Sequence, residues 1–343
     1  MLKEKTVLVT GCAGFLGPWL CEQLLSAEAT VIGIDKLYSE GSRIHELSEK
    51  VETLSLDIRD FDAVSEIIES RKVEVIYHLA AQALVGVASR DPLRTFKDNV
   101  EGTWNVLEAA RLANSRQNRI KAIVVASSDK AYGDQADLPY LENAPMEGKY
   151  PYDVSKSCAD LISRSYFHSF NLPVCVTRCG NLYGGGDLNM SRLVPGTIFS
   201  IYKKEAPIIR SNGKYIRDYI YVQDAAEAYV LISSKLLADA ALAGECFNIS
   251  NDSPVSVLDI VEKIQKIGGS TKKPLIENNA VREIEKQYLC SKKMQRMFNW
   301  RPKTGLNEGL KLAFKWYFQY FKDTEEGRTN EAIAAKLRQT SVP

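Results

Sequence analysis

Short apolar runs recur through the first half of the chain, and each is followed by a stretch with helical spacing. TVLVT (6–10), TVIGID (30–35), VETLSLD (51–57), VEVIYHLA (73–80), IKAIVVASS (120–128) and LPVCVTRC (172–179) read as strands. Leu16, Leu20 and Leu24 then repeat every four residues, a helix stripe. Further helices are predicted near 60–71, 93–114 and 153–170. Strands that are apolar throughout are buried on both faces, which predicts an α/β fold with a doubly wound parallel sheet covered by helices. After residue 180 the rhythm breaks at YGGGD (183–187), and YIRDYIYV (215–222) and ECFNIS (245–250) read as isolated strands. The stretch 305–321 places Leu306, Leu310, Phe314, Tyr317 and Phe321 on one face of a last packed helix. From 322 onward the sequence is a polar tail.

Composition narrows the function classes. The chain has 343 residues, 45% hydrophobic and 25% charged, with a net charge of +1. That balance gives no electrostatic case for nucleic acid or an anionic membrane. No apolar run approaches the roughly 20 residues of a membrane span. The first strand begins after five residues, which leaves no room for a signal peptide, so a cytoplasmic location is expected. Seven cysteines without a CxxC pair read as reduced thiols, and three distant histidines propose no metal site.

The chemistry-bearing motifs follow the strands. In TGCAGFLG (10–17), Gly11, Gly14 and Gly17 lie between a strand and a helix. Glycines there allow a tight turn whose amides approach a pyrophosphate at the helix N-terminus. Asp35 closes the second strand, where a carboxylate accepts hydrogen bonds from an adenosine ribose and repels a 2′-phosphate, favouring NAD over NADP. Asp57 closes the third and reaches toward the adenine edge, or is a plain loop acid. In YDVSK (152–156), Tyr152 and Lys156 share a helix face, and a nearby ammonium together with the positive nicotinamide is expected to lower the pKa of the phenol toward a usable base. A surface pair is the other reading.

TGCAGFLG, Asp35, HLAAQ (78–82), Asn99, SSDKAYG (127–133), YDVSK and RCGNLYGGGD (178–187), in that order, resemble the extended short-chain dehydrogenase/reductase family, nucleotide-sugar group. The resemblance reaches about residue 321. It implies a Rossmann-type NAD-binding domain over 1–180 and a smaller C-terminal α/β domain over 181–321, mainly for the sugar nucleotide. The catalytic set falls on Ser128, Tyr152 and Lys156. Cofactor contacts fall on Gly11, Gly14, Phe15, Leu16 and Gly17, on Asp35, Asp57 and Ile58, and on Leu79, Ala80, Ala81, Gln82 and Asn99, besides Tyr152 and Lys156. The substrate would meet Gln82, Ser128 and Asn181, then Arg192, Leu193 and Arg210. Arg217 would grip its diphosphate, since a guanidinium fork matches phosphate oxygens; the alternative for Arg217 is an ion pair with Asp218. Members commonly dimerise through a four-helix bundle, here built from 95–113 and 153–167 with Val154, Cys158, Leu161 and Ile162 as an apolar stripe.

Asp129 and Lys130 separate reaction types within that family. A 4-epimerase oxidises C4, turns the keto-sugar and reduces it from the other face. A 4,6-dehydratase must also remove a proton from C5 and protonate the departing C6 hydroxyl, which needs two more proton-transfer groups. SDKAYG, GNLYGGGD and SRLVPGTI (191–198) look most like CDP-glucose 4,6-dehydratases. Asp129 is then the general acid, with a raised pKa, and Lys130 the C5 base or relay, with a lowered one. A simple ion pair between them would oppose both shifts and leave a loop salt bridge instead. RDYIYVQD (217–224) is common across epimerases and decarboxylases of the family, so the base (CDP, UDP, GDP or dTDP) and the sugar stay open. A 4-epimerase and a non-catalytic NAD-binding regulator are the competing readings; intact Ser128, Tyr152 and Lys156 argue against the regulator.

Overall fold

Seven strands gather the apolar runs into one parallel sheet: β1 (Thr6–Thr10), β2 (Thr30–Asp35), β3 (Val51–Ser55), β4 (Val75–His78), β5 (Ala122–Ala126), β6 (Val174–Cys179) and β7 (Cys246–Ile249). The computed structural model describes residues 1–279 and 283–324. The spatial order is β7-β6-β5-β4-β1-β2-β3, with every pairing parallel. The order reverses between β1 and β4, so the crevice for a ligand opens beyond their carboxyl ends. Val7, Val9, Val75, Tyr77, Val124 and Cys175 face one helical layer, and Leu8, Ile76, Ile123 and Val174 face the other.

Several predicted strands run too long. The third stops at Ser55, leaving Asp57 in a loop, and the fourth stops at His78, releasing Leu79 and Ala80. All three residues, expected from sequence to contact a ligand, lie past the ladder, where main chain is free to turn. Gly11 makes the first such turn at φ 74°, and an added Cβ there would lie 2.7 Å from the Ala80 nitrogen. The expected helix over 93–114 runs without a gap from Pro92 to Gln117, with a π turn at Lys97–Glu101, and a separate short helix, Val85–Arg90, precedes it. Pro92 ends that short helix because it cannot donate into the preceding turn.

The second layer of chemistry is built after residue 180. Helices Leu193–Tyr202, Val257–Gly268 and Leu306–Asp323 pack around Ile198, Ile260, Ile264, Leu310, Tyr317 and Phe321. Helix Val257–Gly268 starts at a reciprocal Ser256–Asp259 capping box and stops at Gly269 in the left-handed region. YIRDYIYV splits at Asp218 into Ile216–Arg217 and Tyr219–Tyr221, which belong to different ladders. The chain also returns to the large sheet: helix Val222–Ala238 packs on helix Leu16–Ser26, and β7 closes the edge beside β6. Layer and sequence position therefore interleave rather than divide at 180. Lys322 and Asp323 end the last helix, and residues 325–343 lie outside the described residues. Among the described residues no helix is long and apolar enough to cross a membrane.

Candidate active site

The glycine turn and the end of β2 form one end of the site. Gly17 packs so tightly that an added Cβ would sit 2.4 Å from the Cys12 carbonyl oxygen, whereas Gly14 is exposed and meets only the Gly11 oxygen, at 3.2 Å. Gly17 is thus a packing glycine, and Gly14 leaves an open face above the helix start, a cradle that a methyl group would fill. Phe15 precedes helix Leu16–Ser26, whose Leu16 is buried. The Asp35 carboxylate accepts from the Ala13 amide at 3.1 Å and the Leu37 amide at 3.2 Å, and burial raises its pKa. These residues fit a dinucleotide: side-chain-free space at exposed Gly14 beside the helix start for the pyrophosphate and a fixed carboxylate for the ribose. Asp57 differs from expectation. Arg59 holds both its oxygens, at 3.0 and 2.5 Å, and keeps its pKa low, so its carboxylate is committed to that pair. Ile58 is buried under Gly102.

The segment after β4 lies across from this turn. Ala80 donates to the Thr10 hydroxyl at 3.2 Å, and Ala81 follows it. Asn99 clasps Gln82: its Oδ1 accepts from the Gln82 amide at 2.6 Å, and its Nδ2 donates to the Gln82 carbonyl at 3.0 Å and to Ser155 Oγ at 2.8 Å. The Asn99 amide thus braces this loop against the Tyr152 helix. The Gln82 side chain donates to the Leu84 carbonyl at 3.0 Å.

Helix Pro151–Phe170 carries Tyr152 and Lys156, both buried. Lys156 Nζ donates to the Ala126 carbonyl at the end of β5, at 2.9 Å, and burial lowers its pKa to about 8. Burial pushes the Tyr152 phenol up to about 12, and Arg192 and a hydrogen bond to Ser128 oppose the rise. Arg192 is in turn held by buried Asp187 at 2.9 Å. A surface pair is excluded by burial alone, but the ammonium of Lys156 is turned to main chain rather than to the phenol.

The turn Asp129–Tyr132 begins right after β5. Ser128 Oγ donates to Asp129 Oδ1 at 3.0 Å. Asp129 is 4% exposed, and its Oδ2 is buried without a partner. Burial raises the Asp129 pKa against the opposing charge of Lys130, and lowers that of half-buried Lys130, where Arg217 adds to the fall and Asp129 opposes it. No ion pair joins Asp129 to Lys130 among the described residues, so the loop salt bridge is not formed. Both groups are instead pushed toward their neutral forms. The turn is locked from below: Tyr132 donates to Asn248 at 2.7 Å and accepts from Arg178 at 2.8 Å, while Arg178 pairs with Asp160, both at zero exposure.

The facing wall comes from the later elements. Asn181 donates to the Asp218 carbonyl at 3.2 Å. Leu193 opens its helix directly after Arg192, and exposed Arg210 donates to the Ser191 carbonyl at 3.0 Å. Arg217 donates to the carbonyls of Ile216 and Glu285, at 2.9 and 3.2 Å, and lies 3.6 Å from Glu283. Its alternative partner, Asp218, bonds Ser250 instead.

A sequence model described as GDP-mannose 4,6 dehydratase matches residues 8–313. The chain belongs to that family. A CDP-glucose 4,6-dehydratase of Salmonella typhimurium (strain LT2) is 32% identical over 333 residues, covering 91% of this chain and 90% of that protein. Among solved structures, a UDP-glucose 4-epimerase from Thermotoga maritima, with UDP-glucose, is similar at TM-score 0.84 with 26% identity, covering 92% of this chain and 99% of that one. A dTDP-glucose 4,6-dehydratase from Bacillus anthracis, in complex with NAD, is similar at TM-score 0.81 with 26% identity, covering 93% and 98%. Relatives of this GDP-mannose 4,6-dehydratase family member thus include both reaction types weighed above, on the expected Rossmann-type fold, and the NAD complex agrees with the cofactor expected from Gly14 and Asp35.

Sequence reasoning about the family member missed three site residues. Asp153 lies inside the YDVSK motif, is 4% exposed and is raised by burial to about 6, with Lys130 opposing the rise; an acid in a buried first turn was the available signal. Asp187 was quoted in YGGGD but not as the anchor of Arg192. Gln287, which donates to the Asp129 carbonyl at 3.0 Å, carried no local signal, because its partner is 158 residues away.

Proposed function

We propose that the protein is an NAD-dependent nucleotide-sugar 4,6-dehydratase, of the kind that acts on CDP-glucose, and yields a 4-keto-6-deoxy sugar nucleotide. One observation carries this reading: Asp129 and Lys130 are neighbours shifted toward an uncharged acid and an uncharged base, without an ion pair to cancel the shifts. An epimerase has no use for that pair. Gly14, Asp35 and Lys156 hold the cofactor. Bound NAD supplies the oxidant for C4 and the reductant for C6. Tyr152 receives the C4 hydroxyl proton, helped by Ser128. Lys130 takes the C5 proton that the C4 ketone makes acidic. Asp129 gives its proton to the C6 hydroxyl, which leaves as water, and C5 regains a proton at the end. The sugar is thus oxidised and reduced once each, and one water is lost. Arg217 and Arg192 face the diphosphate and the sugar.

The test is a mass-spectrometric assay of the purified chain with NAD and CDP-, UDP-, GDP- and dTDP-glucose and GDP-mannose. Loss of one water from one of them is expected. Asp129→Asn and Lys130→Met should then each slow water loss by about 10²–10⁴-fold, the range of general acid–base contributions. A C4 epimer with no water loss would refute the dehydratase reading in favour of the epimerase.

A further inference from the structure

Gln287 is a polar side chain with zero exposure that the proposed chemistry does not use. It lies in the two-residue strand Lys286–Gln287, paired in parallel with Ile216–Arg217, and stands opposite Arg217 in register. Its Nε2 donates to the Asp129 carbonyl at 3.0 Å. Its Oε1 is buried with no protein donor, and so is Asp129 Oδ2. An apolar side chain of the same length would spare the fold that unpaired acceptor, so packing alone does not account for an amide here.

We infer that Gln287 is a positioning residue for proton transfer by Asp129: it fixes the main chain of the acid turn and joins it to Arg217. Residues paired in register project from the same face of a ladder. Arg217 Nη1 also bonds the Glu285 carbonyl, in the segment that leads into Gln287. The guanidinium expected to face the diphosphate and the amide that holds the acid therefore belong to one small unit. Binding energy from the nucleotide end is delivered to acid placement, which serves the elimination and not the oxidation. This rests on the dehydratase reading.

Full-length Gln287→Met, which fills the volume, and Gln287→Ala, which leaves space, are compared with the wild type in single turnovers of CDP-glucose. If the wild type dehydrates a different sugar nucleotide of the panel, that one is used. Absorbance at 340 nm follows C4 oxidation, deuterium entering C5 from D₂O follows the base, and mass follows water loss. In both variants oxidation and C5 exchange should stay within about threefold of wild type, while water loss falls at least about 30-fold, the scale of a misplaced catalytic group. Water loss that keeps pace with oxidation in either variant overturns the inference. So does a parallel fall of all three steps, the signature of a mere structural tie. Should Gln287→Ala not fold, Gln287→Met decides. A wild type that dehydrates nothing in the panel refutes the dehydratase reading itself; a dehydrating wild type with unaffected variants refutes only the role of Gln287.

Discussion

Alanine substitutions at Gly14 and Gly17 separate two roles that their spacing merges. At Gly17 the new Cβ would lie 2.4 Å from the Cys12 oxygen and 2.6 Å from the Gly11 oxygen. Both neighbours are main chain and cannot swing away, and both distances fall well inside ordinary contact at 3.4 Å or more. Overpacking of this kind costs about 1–3 kcal/mol. At about 2 °C per kcal/mol for a chain of this size, Tm should fall by about 2–6 °C. NAD binding should weaken as well, because the turn itself moves. At Gly14 the new methyl meets only the Gly11 oxygen, at 3.2 Å, a contact that a shift of a few tenths of an ångström relieves. Tm should stay within about 1 °C. The methyl nevertheless occupies the face where main-chain amides meet the pyrophosphate. Losing one hydrogen bond to a charged group costs about 1.5–3 kcal/mol, so the NAD Kd should rise about 10- to 100-fold. Thermal melts without cofactor and calorimetric titration with NAD measure both quantities. Gly14→Ala binding NAD like the wild type, or losing as much Tm as Gly17→Ala, would refute the reasoning.

Two further outcomes follow from burial. Lys156 is depressed from 10.5 to about 8 by burial, so between those values the unfolded chain holds a proton that the folded chain has released, and this group makes stability rise with pH. Lys156→Met should abolish turnover at every pH. Its unfolding free energy relative to wild type should be most favourable below pH 8 and decline toward pH 10, by up to about 3 kcal/mol; a flat difference between pH 7 and pH 10 would contradict the shift. Trp104, 45% exposed, and Leu161, 50% exposed, lie on the packed helices Gly102–Gln117 and Pro151–Phe170, beside half-buried Val154 and Cys158, whereas Ile162 turns into the sheet core. Light scattering should give twice the mass of one chain, and Leu161→Lys should give one; a wild-type monomer would dismiss the four-helix bundle.

The sheet was legible because a strand covered on both faces has no polar positions to hide it. Its limits were not. The C-terminal residues of VETLSLD and VEVIYHLA leave the ladder to serve the site, and nothing in their apolarity marks that exit. ECFNIS could be read as a strand, but its place beside β6 depends on a parallel partner about 70 residues earlier. In the site, residue types were visible and commitments were not. Asp57 reads from sequence as an adenine contact or a plain loop acid, and its pairing with Arg59, two residues on, is a commitment the structure adds. The bonds of the Asn99 amide to Gln82 and Ser155 likewise have no local signal. The opposed shifts of Asp129 and Lys130 followed from requirement, since the proposed elimination needs them and an ion pair opposes them. The cation beside Tyr152 did not follow, because Arg192 approaches from a distant helix start rather than from the same face as Lys156.

The footing of the SSDKAYG turn has a consequence for how such enzymes diverge. Tyr132, Asn248, Arg178 and Asp160 hold the far end of the turn in the core. Ser127 holds the near end through its amide to the Thr177 carbonyl, at 2.8 Å. Residues 129 and 130 hang between two clamps, and neither clamp uses their side chains. On the proposed roles of residues 129 and 130, a lineage can exchange those two letters, gaining or losing an elimination step, without renegotiating the fold beneath them. Reaction type becomes an interchangeable cartridge in a fixed receiver, which is a physical reason for epimerases and dehydratases to share one architecture.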